Sequence, residues 1–290
     1  MSAQKVWLIT GTSTGLGRSL AETVIARGDM LVATVRNQGA GRELTELAPD
    51  RVKVVTMDVT DAAAIRSCVQ EAYRAFGRID VLVNNAGYGL FGAVEEITEE
   101  QIRRQLETNL TGSILMTKEV LPRMREQRSG HIIQISSVGG QLATPGLSIY
   151  HATKWGIEGF CESLAGEVAA FGIKVTIVEP GGIRTDWAGR SMDHGDILAA
   201  YEGTPIAQIR QMREELVPSG DPDKMARVIA GLTLRDDAPL RLTLGSDAYT
   251  LLQQILPKRL EQLEAEKVLT LSTDTEHAGA ASDGWKQLLK

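Results

Sequence analysis

Residues 5–36 limit what this chain can fold into more than any other stretch. An apolar run, Val6-Trp7-Leu8-Ile9, passes directly into Thr10-Gly11-Thr12-Ser13-Thr14-Gly15-Leu16-Gly17 and then into Leu20, Val24 and Ile25 at helical spacing. A second apolar run, residues 30–35, follows. This order predicts strand, glycine turn, helix and strand, a βαβ unit. Glycine at 11, 15 and 17 allows a tight turn, close approach of an anion, and close packing of helix on strand. The free N–H groups at the helix start then offer a site to a pyrophosphate. The spacing is Gly-x-x-x-Gly-x-Gly and lacks the Gly-Lys-Ser/Thr ending of a mononucleotide loop. Taken alone, it also fits an ordinary surface turn.

A chain of 290 residues fills one large α/β domain, for which roughly three quarters of the extended surface is buried. Its 43% hydrophobic and 23% charged residues are those of a soluble globular protein. The net charge of −6, with no basic block, argues against a nucleic-acid surface. No apolar run reaches membrane-spanning length and no secretory segment fits the start, so a cytoplasmic location is expected. Cys68 and Cys161 both lie in helical patterns and read as core thiols, with neither a disulfide framework nor a metal site expected.

Along the chain, residues 30–35 read as a strand buried on both faces. A carboxylate at its end would hold the ribose diol of NAD; here Val35 is followed by Arg36, which suits a 2′-phosphate. Arg18 is a candidate for a second positive charge, and either arginine also fits a solvated surface. A short helix is expected over 41–47 and a third strand over 52–57, ending at Asp58-Val59. Asp58 is placed to accept from an adenine amino group, or else to cap the next helix with Thr60 and Asp61. The fourth strand, 81–83, ends in Asn84-Asn85-Ala86-Gly87, a loop whose amides must be hydrogen-bonded and whose small residues leave room for a flat ligand. Residues 88–92 read as an apolar loop. Thr98 to Gln101 form a capping box for a helix through Ile102, Leu106, Leu110, Ile114, Thr117 and Leu121, which Asn109 interrupts.

A fifth strand, 131–135, leads to Ser136-Ser137. The helix over 150–170 has Ile157, Phe160, Leu164 and Val168 on one side and Ala152, Gly156, Gly159 and Ser163 on another. A sixth strand, 174–178, is broken by Pro180-Gly181-Gly182, and a seventh is expected over 240–244. Strands alternating with helices, with the special loops at one edge, predict a Rossmann-type doubly wound, mainly parallel seven-stranded sheet with helices on both faces. Residues 1–250 are expected to form a single domain. A lid at about 186–218 carries the stripe Ile206, Ile209, Met212 and Leu216. Residues 251–290 read as a helical extension and a polar tail in which Trp285, Leu288 and Leu289 are docking candidates.

Tyr150 and Lys154 stand four apart on one helix face, where an ammonium beside a phenol favours the phenolate. Ser137 reaches the same crevice. With no Cys/His nucleophile pair or metal cluster in the sequence, hydride transfer at a carbonyl or carbinol carbon is the natural chemistry. At this point the chain resembles the short-chain dehydrogenase/reductase family, over residues 6–248. The resemblance rests on Thr10-Gly11-x-x-x-Gly15-x-Gly17, Asp58, Asn84-Asn85-Ala86-Gly87, Asn109, Ser137, Tyr150-x-x-x-Lys154 and Pro180-Gly181-x-x-x-Thr185, in the family's order. It implies that Ser137 donates to the substrate oxygen and that Tyr150 gives or takes the proton. Lys154 is then expected to bind the nicotinamide ribose and lower the tyrosine pKa, and Asn109 to hold the water of a proton relay. The same resemblance places Gly11 to Gly17, Arg36, Asp58, Val59, Asn85, Ala86, Gly87, Tyr150, Lys154, Pro180, Gly181, Ile183 and Thr185 around NADP(H). The run from Asn84 to Gly92, with Leu244 to Ala248, is similar to the branch of 17β-hydroxysteroid and retinol dehydrogenases. Gln134 stands where the family often has Asn.

The expected activity is NADP(H)-dependent interconversion of a ketone or aldehyde and an alcohol. Tyr88, Leu90, Phe91, Leu142, Leu147 and Trp187 point to an apolar ligand, although each also fits a core position. A homodimer or homotetramer is expected from the small-residue helix face. A non-catalytic NADP(H)-binding sensor or scaffold is the alternative.

Overall fold

Short apolar runs rich in β-branched residues form strands here because helices cover the faces of the sheet, and most of the strands are joined through a helix. The computed structural model describes residues 4–185, 189, 191–215 and 217–275, without the side chains of Gln38 and Glu214. In chain order the first half holds β1 (Val6–Ile9), α1 (Gly15–Ala26), β2 (Met30–Val35), α2 (Arg42–Leu47), β3 (Val52–Thr56), α3 (Ala62–Phe76), β4 (Val81–Asn84) and β5 (Gly89–Phe91). The middle holds α4 (Glu99–Leu106), α5 (Gly112–Gln127), β6 (Gly130–Ile135), α6 (Ser148–Val168) and β7 (Ile173–Pro180). Then come β8 (Met192–His194), α7 (Pro205–Glu215), α8 (Pro222–Gly231), β9 (Arg241–Leu244), α9 (Ser246–Ala265) and α10 (Lys267–Leu271).

Seven strands form one sheet in the order β3-β2-β1-β4-β6-β7-β9, with every neighbouring pair parallel. The expected doubly wound fold is therefore present, and all seven expected strands lie in it. Side chains alternate across the sheet. Trp7 and Ile9 join a core layer with Leu20, Val24, Ala226 and Ile229 of α1 and α8, while Leu8, Val32, Leu82 and Ile132 join the layer of α3, α5 and α6. The strand order reverses beside β1, so the loops after β1 and β4 open a crevice at the carboxyl edge of the sheet.

Three local expectations are corrected. The apolar loop at 88–92 contains β5, which pairs in parallel with β8 through Gly89↔Met192, Leu90↔Asp193 and Phe91↔His194. Three residues are too few to show a period, and the partner strand lies far along the chain. The helix behind Thr98 is not continuous: a π turn at Glu107–Thr111 separates α4 from α5 and turns Asn109 inward. In α7, Ile206 is buried and Ile209 half-buried, but Met212 is 66% exposed, so the expected stripe does not reach it. Trp187, Leu216, Trp285, Leu288 and Leu289 lie outside the described residues.

The chain divides into two compact units, Met1–Tyr249 and Thr250–Lys290. In the second, the continuing α9 and α10 carry exposed Leu256, Leu260 and Leu263. No helix among the described residues is long and apolar enough to cross a membrane.

Candidate active site

The glycine turn is built by hydrogen bonds from neighbouring strand ends. Thr34 of β2 holds it from one side: its Oγ1 accepts from Gly11 N–H at 3.3 Å, and its carbonyl accepts from Thr12 N–H at 3.0 Å and Thr12 Oγ1 at 3.1 Å. From the other side, Asn85 Nδ2 donates to the carbonyls of Thr10 (2.8 Å) and Gly11 (3.0 Å). Thr10 Oγ1 accepts from the N–H groups of Asn85 and Ala86, both at 2.9 Å. Gly11 has φ +71°, a left-handed conformation that strains any L side chain. A Cβ on Gly17 would collide with the Asn85 amide and the Gly11 carbonyl.

This cradle suits a dinucleotide. Ser13 and Thr14 are exposed; Thr14 is the N-cap of α1 but makes no side-chain cap bond, and no acidic residue occupies the first turn. The helix therefore presents its first N–H groups and positive end without an internal anion. Leu16 is buried beneath, and Gly15 lies against Thr185, which brings the turn after β7 over the glycine turn. Ile183 is bridged to Gly220. Gly181 N–H donates to Leu244 O at 2.8 Å, and Gly182 N–H to Asp247 Oδ2 at 2.7 Å. Pro180 ends β7 in register with Leu244.

At the end of β2, Arg36 is exposed and has no ion-pair partner among the described residues. Asp58 accepts from Thr60 N–H (2.9 Å) and Thr60 Oγ1 (2.8 Å), both through Oδ1. Burial works to raise its pKa, but these bonds and the charges of Arg36 and Arg104 outweigh it and hold the carboxyl below its usual value. Asp61, not Asp58, caps α3. Val59 is buried. Arg18 is committed elsewhere, to Glu22 at 2.6 Å and Glu43 at 3.0 Å.

Across the crevice, Tyr150 and Lys154 are buried on α6, and the Ser137 hydroxyl hydrogen-bonds the Tyr150 hydroxyl. Lys154 Nζ donates to Ile135 O at 3.0 Å and lies 5.6 Å from the centre of the tyrosine ring. Contrary to the expectation for the pair, burial dominates: it pushes the Tyr150 phenol up to about 12 against the pull of Ser137, with the Glu158 carboxylate pushing the same way. Burial also brings Lys154 down to about 8, opposed by Glu158. The protein by itself thus keeps Tyr150 protonated at neutral pH.

Asn109 is bound at both ends of its amide to the Tyr88 backbone, accepting from the N–H at 3.0 Å and donating to the carbonyl at 2.8 Å. It also lies against Gly87 and fixes the loop after β4. Its side chain is a satisfied core amide, the plainer of its two readings.

Sequence reading missed the groups that surround Ser137, Tyr150 and Lys154. Ser136 Oγ donates to Glu158 Oε1 at 2.6 Å, and Arg241 binds Glu158 (2.5 Å), Glu179 (2.6 Å) and Glu162 (3.3 Å). Gln141 Nε2 also reaches Glu179, at 2.6 Å. His151 Nδ1 meets Gly139 O at 2.8 Å while its Nε2 accepts from Thr144 N–H at 3.0 Å, tying the segment after Ser137 to α6. Glu158, at i+4 from Lys154, was within reach of a helical-face argument; Arg241, on β9, was not.

Residues 5–195 match the short chain dehydrogenase family. The oxidoreductase BOA17 of Botryotinia fuckeliana is 44% identical over 252 residues, 84% of this chain and 90% of that protein. A 3-ketodihydrosphingosine reductase of Bacteroides thetaiotaomicron is 33% identical over 250 residues, 83% of this chain and 88% of the relative. The crystal structure of a short-chain dehydrogenase from Streptomyces avermitilis superposes with a TM-score of 0.88 at 40% identity, covering 94% of this chain and all of that one. A glycine turn facing a Ser137–Tyr150–Lys154 cluster across the carboxyl edge of a doubly wound sheet, with matches of this extent, places the chain in the short-chain dehydrogenase family, as an NAD(P)(H)-dependent oxidoreductase.

Proposed function

We propose that the protein uses NADP(H) to interconvert a ketone or aldehyde and an alcohol on a mainly apolar substrate, with Tyr150 as the general acid and base. The observation that carries this is the hydrogen bond between the half-buried Ser137 and the buried Tyr150, with Lys154 one turn away. The cofactor supplies or takes up the hydride. In the direction of reduction, the two hydroxyls donate to the carbonyl oxygen and stabilise its growing negative charge, and the Tyr150 O–H proton passes to that oxygen. Lys154 holds the nicotinamide ribose, and its charge stabilises the phenolate that remains once the proton has passed. Arg36 supports NADP(H) over NAD(H), since no carboxylate ends β2 to receive a ribose diol.

Leu90, Phe91 and Leu142 are buried near this edge, and Tyr88 and Leu147 are half-buried, which supports an apolar substrate. The 3-ketodihydrosphingosine reductase is named for a ketone and supports the reaction class. We also assign the chain to the branch resembling 17β-hydroxysteroid and retinol dehydrogenases, and to the cytoplasm, in keeping with two free buried thiols. A panel of apolar ketones and secondary alcohols, assayed with each cofactor, tests the proposal. The expected result is turnover of ketones with NADPH and at least tenfold tighter binding of NADPH than NADH, about the worth of one charge-assisted contact. Equal cofactor affinities would remove Arg36 from the site, and absence of turnover on every carbonyl would remove the reaction.

A further inference from the structure

The face of α7 that meets the body of the protein carries an arginine where an apolar residue is expected. Ile206 and Ile209 pack on a cluster of Phe91, Ala93 and Met192. Four residues beyond Ile209 on the same face stands Arg213, while the neighbouring Met212 points outward and is 66% exposed. The Arg213 guanidinium lies 4.5 Å from the centre of the Phe91 ring, and its Nη1 is buried without a hydrogen-bond partner among the described residues. Arg210, also near that ring, differs: its Nη2 is bound to Glu96 at 2.7 Å. A buried guanidinium nitrogen with no acceptor is costly, and a methionine in its place would not be. Burial pulls the Arg213 pKa down.

The surroundings of Phe91 connect this arginine to the reacting groups. The Phe91 ring lies against Gly146, and Gly92 N–H donates to Gly146 O at 2.9 Å. Leu147, the next residue, joins the Phe91 cluster and immediately precedes α6, which carries Tyr150. The segment that starts at Ser137 and ends at Tyr150 therefore passes Phe91, and Arg213 stacks on that ring. A substrate whose carbonyl lies between Ser137 and Tyr150 would have to follow this segment with its apolar body to bring its far end to Arg213.

We propose that Arg213 is a specificity-determining residue that pairs with a carboxylate on the substrate. The favoured substrates are then keto acids, or the matching hydroxy acids, with an apolar body between the two groups. This rests on the carbonyl–alcohol reading above. A forked pair supplies the acceptor that Nη1 lacks, in a geometry that lysine does not reproduce.

The test compares aryl keto acids of increasing carbonyl-to-carboxylate distance with their methyl esters, using NADPH. At least one acid should exceed its ester in kcat/KM by about ten- to hundredfold, the range of a hydrogen bond to a charged group. Arg213→Met should erase that preference through KM, leaving the ester and the NADPH affinity unchanged; Arg213→Lys should keep part of it. Esters turned over as well as every acid, or an equal loss on acid and ester in Arg213→Met, would overturn the proposal while leaving the reaction class intact. An equal loss of NADPH affinity would assign the arginine to a cofactor anion and overturn it as well. Calorimetric binding of a redox-inert aryl alkanoate in the presence of NADP+ decides the point without turnover: wild type should bind it and Arg213→Met should not.

Discussion

Tyr150 is shaped by opposing effects. Burial and the Glu158 carboxylate raise its pKa, the Ser137 hydroxyl lowers it, and the result is a phenol at about 12. Such a group gives its proton only as negative charge builds on the substrate oxygen, which is what an acid in carbonyl reduction has to do. Tyr150→Phe should therefore lower kcat/KM by about 10²–10⁴-fold or more with NADPH affinity nearly unchanged. Lys154→Met should damage both, because it removes a charge from the proposed ribose site and from beside the tyrosine. Steady-state kinetics with cofactor titration separates the two variants; more than about a tenth of wild-type activity in the phenylalanine variant would place the proton elsewhere.

Glu158 raises both Tyr150 and Lys154 electrostatically while burial raises its own carboxyl and bonds from Ser136 and Arg241 pull it back. Glu158→Gln keeps the shape and removes the charge. Both partners then lose a proton more easily, so the alkaline limb of the kcat/KM profile for reduction should move to lower pH. A lower melting temperature with an unmoved limb would show that Glu158 only supports the fold.

Among the elements, α7 and the segment before it are fastened through one carboxylate. Glu96 is fully buried in its side chain and accepts from Ala93 N–H (2.8 Å), Leu198 N–H (3.1 Å) and Arg210 (2.7 Å). Burial works to raise its pKa, but these three bonds outweigh it and hold it below the ordinary 4.5. Since the folded-state value is the lower one, its contribution is complete above about pH 4.5 and fades as pH falls toward the depressed value. Glu96→Gln leaves an amide donor facing Arg210 and should cost about 1–3 kcal/mol. The expected outcome is a melting temperature lower by several degrees and faster proteolysis within residues 191–215. An unchanged cleavage pattern would mean that Ile206 and the Phe91 cluster hold the helix by themselves.

For the whole molecule, the outward side of α6 is the feature that calls for a partner. Ala152, Gly156, Gly159 and Ser163 are all exposed, and a Cβ added at Gly159 meets nothing within 4 Å. Small residues on an exposed helix face permit close approach of a second helix, and we expect a homodimer or homotetramer about a two-fold axis. Light scattering at micromolar concentration should give two or four times the chain mass of 31.4 kDa. Gly159→Glu has room within the protomer and improves helix propensity, so it should fold normally yet shift the mass toward one chain. A monomeric wild type, or an unaffected variant, would leave this face without its proposed role.

The sequence by itself determined the parts that depend on local order. The βαβ start, all seven sheet strands, the Thr98–Gln101 box and the spacing of Ser137, Tyr150 and Lys154 were legible because period, capping and backbone conformation are properties of neighbours in the chain. The tertiary structure decided the rest. It paired β5 with β8, and it set Thr34 and Asn85 around the glycine turn. It also ran Arg241 from β9 to Glu158 on α6, and it turned Arg213 rather than Met212 toward Phe91. The protonation of Tyr150 was decided there too. A lysine four residues away predicts an acidic phenol, but desolvation depends on how much of the folded protein surrounds the ring, and here it outweighs the opposing pull of the Ser137 hydroxyl.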